Sequence, residues 1–183
     1  GCGTGALAAR CAGELGCEVV ALDASAEMVH ATRARGIDAM MGDVQRLPFP
    51  DGAFDCAVAA WMLYHVPDLD RGVAELARVL RPGGRLVAVT NGRESLAELY
   101  DLVGGERRDS AFSSENGAEV LRSHFARVDR HDVEVRAVFA DRAAAAAYLE
   151  TLERGELAVR LPAGMGRLVA RGVVTVFAAD APA

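Results

Sequence analysis

The chain opens on Gly1-Cys2-Gly3-Thr4-Gly5, a Gly-x-Gly-x-Gly turn, and residues 6–15 behind it read as a helix. This turn limits the possible folds more than any other stretch. Glycines allow a tight reversal and leave the space beside the backbone free of side chains, so a nucleotide-bearing ligand can approach closely. The helix that follows directs its N-terminal amides at that ligand. Such a turn expects a buried β-strand ahead of it. In an α/β sheet that strand is central and covered on both faces. The expectation is therefore a domain incomplete at its N-terminus, with its first strand missing.

Downstream, strand and helix alternate. Residues 18–23 are β-rich and end on Asp23, and Ser25 reads as the N-cap of a helix to residue 35, stopped by Gly36. Residues 37–41 form the next strand, closed by Gly42-Asp43, and the turn-rich residues 47–52 form a loop. A strand over 54–60 precedes a helix over 69–80 that gathers Val73, Leu76, Ala77 and Leu80 on one face. Arg81-Pro82-Gly83-Gly84 separates that helix from a strand over 85–90. This alternation predicts an α/β, doubly wound, Rossmann-like and mostly parallel sheet with helices on both faces.

The last third reads differently. Helices are expected over 94–103 and 117–125, with a polar loop over 106–116 between them. A strand over 128–139 leads to Asp141, which caps an alanine-rich helix to about residue 153, and residues 172–178 form a final strand. Two late strands without a parallel crossover predict an antiparallel C-terminal edge strand. With no internal repeat, residues 1–183 read as a single domain.

Composition removes several classes. The formal net charge is -6, which disfavours non-specific nucleic-acid binding. No apolar run reaches spanning length, so no membrane helix is expected. Cys2, Cys11, Cys17 and Cys56 show no Cys-x-x-Cys spacing and read as reduced thiols of a cytoplasmic protein. His30, His124 and His131 show no ligand spacing either, and no metal is expected. All 20 basic residues are arginine, which reads as a coding bias.

Asp23 lies about twenty residues beyond the glycine turn, where a carboxylate can accept hydrogen bonds from both hydroxyls of a ribose. The same glycines also fit a nicotinamide fingerprint, because Gly1, Gly3 and Ala6 match Gly-x-Gly-x-x-Ala. The two cofactors separate further along. Gly42-Asp43-Val44, Leu47-Pro48-Phe49, Phe54-Asp55, Leu63-Tyr64-His65-Val66-Pro67-Asp68 and Arg81-Pro82-Gly83-Gly84-Arg85-Leu86 follow one another in order. Together with the turn they resemble class I S-adenosylmethionine-dependent methyltransferases, in the small-molecule type 11 or ubiquinone/menaquinone-biosynthesis-like group. The resemblance is strong over residues 1–91 and topological beyond.

The resemblance implies S-adenosyl-L-methionine as cofactor and a role for each matching position. Gly1, Cys2 and Gly3 would lie against its methionine moiety, and Asp23 would hold the ribose. Ala24 and Met28 would pack on the adenine. Asp43 would accept from the adenine amino group, with Val44 beside it. Ala60 would sit near the sulfonium.

The acceptor side is thinner. Such enzymes often need no acid or base, because the sulfonium is a good leaving group and alignment does much of the work. The catalytic residue is therefore unknown, with His65 and Tyr64 as weak candidates for a base. Trp61-Met62-Leu63 fits either a substrate pocket or core packing. The Asn/Asp-Pro-Pro-Tyr/Phe tetrapeptide of amino-methylating nucleic-acid enzymes is absent; the positions read Ala59-Ala60-Trp61-Met62. The expected reaction is in-line methyl transfer to a small-molecule acceptor, with no nucleic acid and no membrane, and the oligomeric state is open. Two alternatives stand beside it. One is a non-catalytic or decayed protein of the same fold. The other is an NAD(P)-dependent oxidoreductase, although a chain without lysine has no Tyr-x-x-x-Lys pair.

Overall fold

A computed structural model describes residues 1–105, 110–152 and 154–182. Part of the expected polar loop (106–109) and residue 153 of the expected alanine-rich helix lie outside the described residues.

The first helix, α1 (Ala6–Leu15), starts straight from the glycine turn and ends on Gly16 in the left-handed region. Strand β1 (Val20–Asp23) leads to α2 (Ala26–Arg33), whose cap Ser25 accepts from the Met28 amide at 3.4 Å. Strands β2 (Asp38–Met41) and β3 (Phe54–Ala60) follow. A 3-10 turn (Leu63–His65) precedes α3 (Leu69–Arg78), where Asp68 accepts from the Arg71 amide at 3.1 Å. Then come β4 (Leu80–Asn91), α4 (Ala97–Val103), α5 (Gly117–Arg122), β5 (Arg127–Phe139), α6 (Arg142–Thr151) and β6 (Leu168–Asp180).

Parallel pairing joins β1 to β2 and, separately, β3 to β4. Strand β6 is the antiparallel strand; it lies between β4 and β5, so β5 forms the outer edge. Among the described residues no strand lies between β1 and β3, and their facing edges expose Val20 (43%) and Val58 (49%).

Among the boundaries that differ from expectation, such as the earlier start of β6 at Leu168 and the earlier end of α5 at Arg122, two have clear local reasons. The Arg81-Pro82-Gly83-Gly84 segment is not a stop but part of β4. The register slips between Phe54 and Cys56 to absorb it, and the Ala181 amide donates to Gly84 O at 2.8 Å. Helix α4 starts late because Leu96 is left-handed, with φ of 65°.

The main core packs α3 and α5 on β3, β4 and β6 through Leu63, Val73, Leu86, Phe112, Leu121 and Phe177. A second core joins α4, α6 and the hairpin of β5 and β6 through Leu99, Val103, Phe139, Leu149 and Ala170. A small third core under the glycine turn holds Ala21, Val29 and Ala39. The outcome that matters for chemistry is that β1, β2 and β3 end beside one another, where an open α/β sheet presents its ligand crevice.

Candidate functional site

The glycine turn is fastened from below. The Cys2 amide donates to Leu22 O at 3.0 Å, and the Thr32 hydroxyl donates to Gly3 O at 3.0 Å. Gly5 sits with φ of 77° directly on Thr32, where a Cβ would fall 2.7 Å from Oγ1. A side chain there would force α1 off α2. Gly3, with φ of 55°, has nothing within 4 Å of where a Cβ would stand.

Above the turn, the ends of β1, β2 and β3 enclose a cavity of about 440 Å3. Asp23 forms part of its wall and is 9% exposed. The Gly3 amide donates to Oδ2 at 2.8 Å and the Ser25 amide to Oδ1 at 3.0 Å. These bonds fix the carboxylate plane and still leave each oxygen an acceptor position. Two acceptors held side by side suit a vicinal diol.

Asp43, after β2, is exposed and held differently. Gln45 donates to it from its amide at 2.9 Å and from Nε2 at 3.0 Å. The Gln45 side chain, then its backbone amide, hold the Asp43 carboxyl below the usual carboxylate range. Gln45 in turn accepts from the Asp68 amide at 3.0 Å through Oε1 and from Arg71 Nε at 2.8 Å through its carbonyl. The loop that follows is clamped by Arg78, which donates to Glu75, Asp51 and the carbonyls of Phe49 and Leu47. Glu75 also accepts from the Leu47 amide at 2.7 Å. The adenine-side wall implied by the resemblance is thus tied to α3.

Of the residues singled out from sequence, Gly1, Gly3, Asp23, Ala24, Asp43, Val44 and His65 line this cavity, as do Trp61 and Met62. Cys2, Met28, Ala60 and Tyr64 are not among the lining residues. Cys2 packs against the third core, with Sγ 3.4 Å from the Thr32 hydroxyl. Ala60 is the last residue of β3, immediately before Trp61. Tyr64 packs against the main core, and burial pushes its phenol up. His65 is exposed, lies against Tyr64 with ring centroids 4.5 Å apart and planes tilted by 58°, and makes no side-chain hydrogen bond among the described residues. Leu63 is buried core rather than pocket.

Leu22, Gln45, Val66 and Pro67 also line the cavity and had no sequence assignment of their own. Val66 and Pro67 belong to the Leu63-Tyr64-His65-Val66-Pro67-Asp68 motif. Gln45 stands two positions after Asp43, in an Asx-turn pattern whose amide and side chain both return to the carboxylate. That spacing was the available signal.

A second cavity, of about 400 Å3, opens beyond Asn91 between the start of α4 and the hairpin of β5 and β6. Its wall mixes charges: Glu98 and Arg171 approach to 4.0 Å and Arg130 and Asp132 to 2.8 Å. Among the described residues no group of three or more His, Cys, Asp or Glu side chains is placed to hold a metal, and no helix is long and apolar enough to cross a membrane.

Residues 1–88 match the family described as methyltransferase domain. A malonyl-[acyl-carrier protein] O-methyltransferase of Serratia marcescens is 38% identical over 117 residues, which is 61% of this chain and 46% of that protein. A demethylmenaquinone methyltransferase of Mycolicibacterium vanbaalenii is 48% identical over 68 residues, 37% of this chain and 30% of that protein. The chain thus spans about half or less of the length of these curated relatives. Among solved structures, Haemonchus contortus phosphoethanolamine N-methyltransferase 2, in complex with phosphomonomethylethanolamine and S-adenosylhomocysteine, superposes with a TM-score of 0.66 at 17% identity, over 100% of this chain and 48% of that one. The YcgJ protein of Bacillus subtilis gives a TM-score of 0.71 at 18% identity, over 100% of this chain and 90% of that one. At such identity the likeness concerns the fold.

Proposed function

We infer that this chain, which belongs through residues 1–88 to the class I S-adenosylmethionine-dependent methyltransferase family of the type 11 group, binds S-adenosylmethionine in the 440 Å3 cavity and methylates a small molecule. When bound, that cofactor supplies a methyl carbon activated by a sulfonium, with a neutral thioether as leaving group. The observation that carries the reading is Asp23: a carboxylate at the wall of the cavity, oriented by two backbone amides and still able to accept two more hydrogen bonds.

The remaining roles follow from the side chains present. The space beside Gly3 admits a ligand against the backbone. Ala24 and Val44 offer apolar contact to a flat ring, and Asp43, ionised through its bonds to Gln45, accepts from an amino group. Cys2, Met28 and Ala60 would act from behind the wall rather than on it. His65 lines the cavity, and its ring nitrogens have no hydrogen-bond partner among the described residues, so it is a group available to take a proton from an acceptor. The acceptor is a small molecule, the reaction an in-line displacement in the cytoplasm, and positioning supplies much of the rate.

The test is methyl transfer itself. The protein is incubated with methyl-labelled S-adenosylmethionine and a panel of oxygen, nitrogen, carbon and sulfur acceptors. Label should appear in at least one small molecule and should fall on the order of 100-fold in His65→Gln where the acceptor must lose a proton. Binding of S-adenosylhomocysteine with no transfer to any acceptor would favour a non-catalytic member of the family instead.

A further inference from the structure

Trp61 is the only tryptophan of the chain. It follows the last residue of β3 and has a φ of 53°, a left-handed conformation that a bulky L residue keeps only when its surroundings hold it there. Two bonds to the end of β4 do so. The Trp61 amide donates to Val89 O at 2.8 Å, and the indole Nε1 donates to Asn91 Oδ1 at 3.2 Å. Backbone and ring are thus both anchored on one strand.

The ring gains little burial from this arrangement, for Trp61 remains 46% exposed. A strained backbone and a pinned indole are not needed to fill a core, and the main core closes without this ring. What the arrangement achieves is placement. Trp61 lines the cavity that holds Asp23 and Asp43, and its partner Asn91 runs directly into Gly92, which lines the second cavity. The pair therefore joins a residue of the first cavity's wall to the strand end that leads into the wall of the second. With its only polar hydrogen already given to Asn91, the indole has its flat apolar faces left for recognition.

We propose that Trp61 is the acceptor-positioning residue, held by Asn91, and that the acceptor carries a flat aromatic ring that lies against the indole. The proposal rests on the methyl-transfer reading and names the substrate class of that site. Asn91 acts through Trp61, not on the acceptor.

The probes are 2-naphthol and its saturated counterpart decahydro-2-naphthol, titrated by calorimetry into the protein with and without S-adenosylhomocysteine. The flat probe should bind about fivefold or more tightly than the saturated one, the discrimination expected of aromatic pairing. Trp61→Ala should abolish that preference, and Trp61→Phe should keep it to within about threefold. Asn91→Leu, which frees the indole, should weaken 2-naphthol and leave S-adenosylhomocysteine affinity in place. A merely structural role would instead lower melting temperature and both affinities together. Equal binding of the two probes by the unaltered protein, or a preference that survives in Trp61→Ala, would overturn the proposal. Failure of S-adenosylhomocysteine to bind would overturn the methyl-transfer reading alone, because the naphthol comparison is also made without it.

Discussion

Asp23, which we propose holds the cofactor ribose, shows how a single residue acquires the geometry of a ligand site. Its identity and its distance from the glycine turn are visible in sequence, because a strand ending in an acid has few other reasons to place a carboxylate there. Its competence comes from Gly3 and Ser25, whose amides orient the two oxygens at 2.8 and 3.0 Å. Asp23→Ala should weaken S-adenosylmethionine binding by about 1.5–3 kcal/mol, the usual worth of hydrogen bonds to a charged group. Calorimetry measures this, and a melt beside it shows whether the turn has also loosened. Unchanged affinity in a folded variant would remove Asp23 from the site. Gln45 and Trp61 were harder to read because neither residue type has an obligatory chemistry. Their importance depends on partners 23 and 30 positions away, Asp68 and Asn91, which no local pattern announces.

At the scale of elements, the loop after β2 holds its shape through α3. Arg78 and the Leu47 amide hold the Glu75 carboxyl below its ordinary value of 4.5, with Arg78 the larger cause. A carboxyl depressed in the folded state stabilises the fold above its unfolded pKa, and that contribution is lost as pH falls through the folded value. Arg78→Met should therefore lower stability by about 1 kcal/mol or less at neutral pH, since the pair is partly solvated. The gap between variant and unaltered protein should shrink as pH drops below about 4.5 in thermal melts. A gap that stays constant with pH would assign the effect to packing. The second core makes a different prediction. Leu149 of α6 is fully buried against it, so Leu149→Ala should cost about 2–5 kcal/mol. None of that core lines the 440 Å3 cavity, so S-adenosylhomocysteine affinity should hold while the melting temperature falls. The reverse pattern would place α6 in the ligand site. The elements α4 and α6 were legible individually, from Asp141 as a cap and from their apolar content. Their meeting was not, because it joins segments some fifty residues apart that share no periodicity. Arg81-Pro82-Gly83-Gly84 misled for the opposite reason: breakers that usually end an element here sit in a bulge of β4, which β3 and Ala181 complete from outside.

For the molecule as a whole, the arrangement of strands follows from alternating apolar runs and turn residues, and the antiparallel strand from the missing crossover. The sheet carries an open seam, since β1 and β3 face each other without a strand between them among the described residues. Exposed Val20 and Val58 mark its edges, and Gly1 stands at its end against Met62, where a Cβ would fall 2.6 Å from that side chain's own. We propose that an apolar strand of about five residues joined ahead of Gly1 would fill the seam, pairing both edges. Melting temperature and amide-exchange protection at Val20 and Val58 should both rise, and no change in either would mean that the seam does not accept a strand. The motif order over residues 1–91 made the family legible, while the acceptor was not, because the placement of Trp61, which we propose positions it, depends on Asn91 thirty residues away. Everything else depends on the identity of the cofactor, which calorimetry with S-adenosylhomocysteine and NAD, each titrated into the protein alone, measures without an acceptor. Saturable one-to-one binding of S-adenosylhomocysteine, weakened on the order of 10- to 100-fold in Asp23→Ala, and no measurable binding of NAD are expected; tight NAD binding with no response to S-adenosylhomocysteine would contradict the assignment.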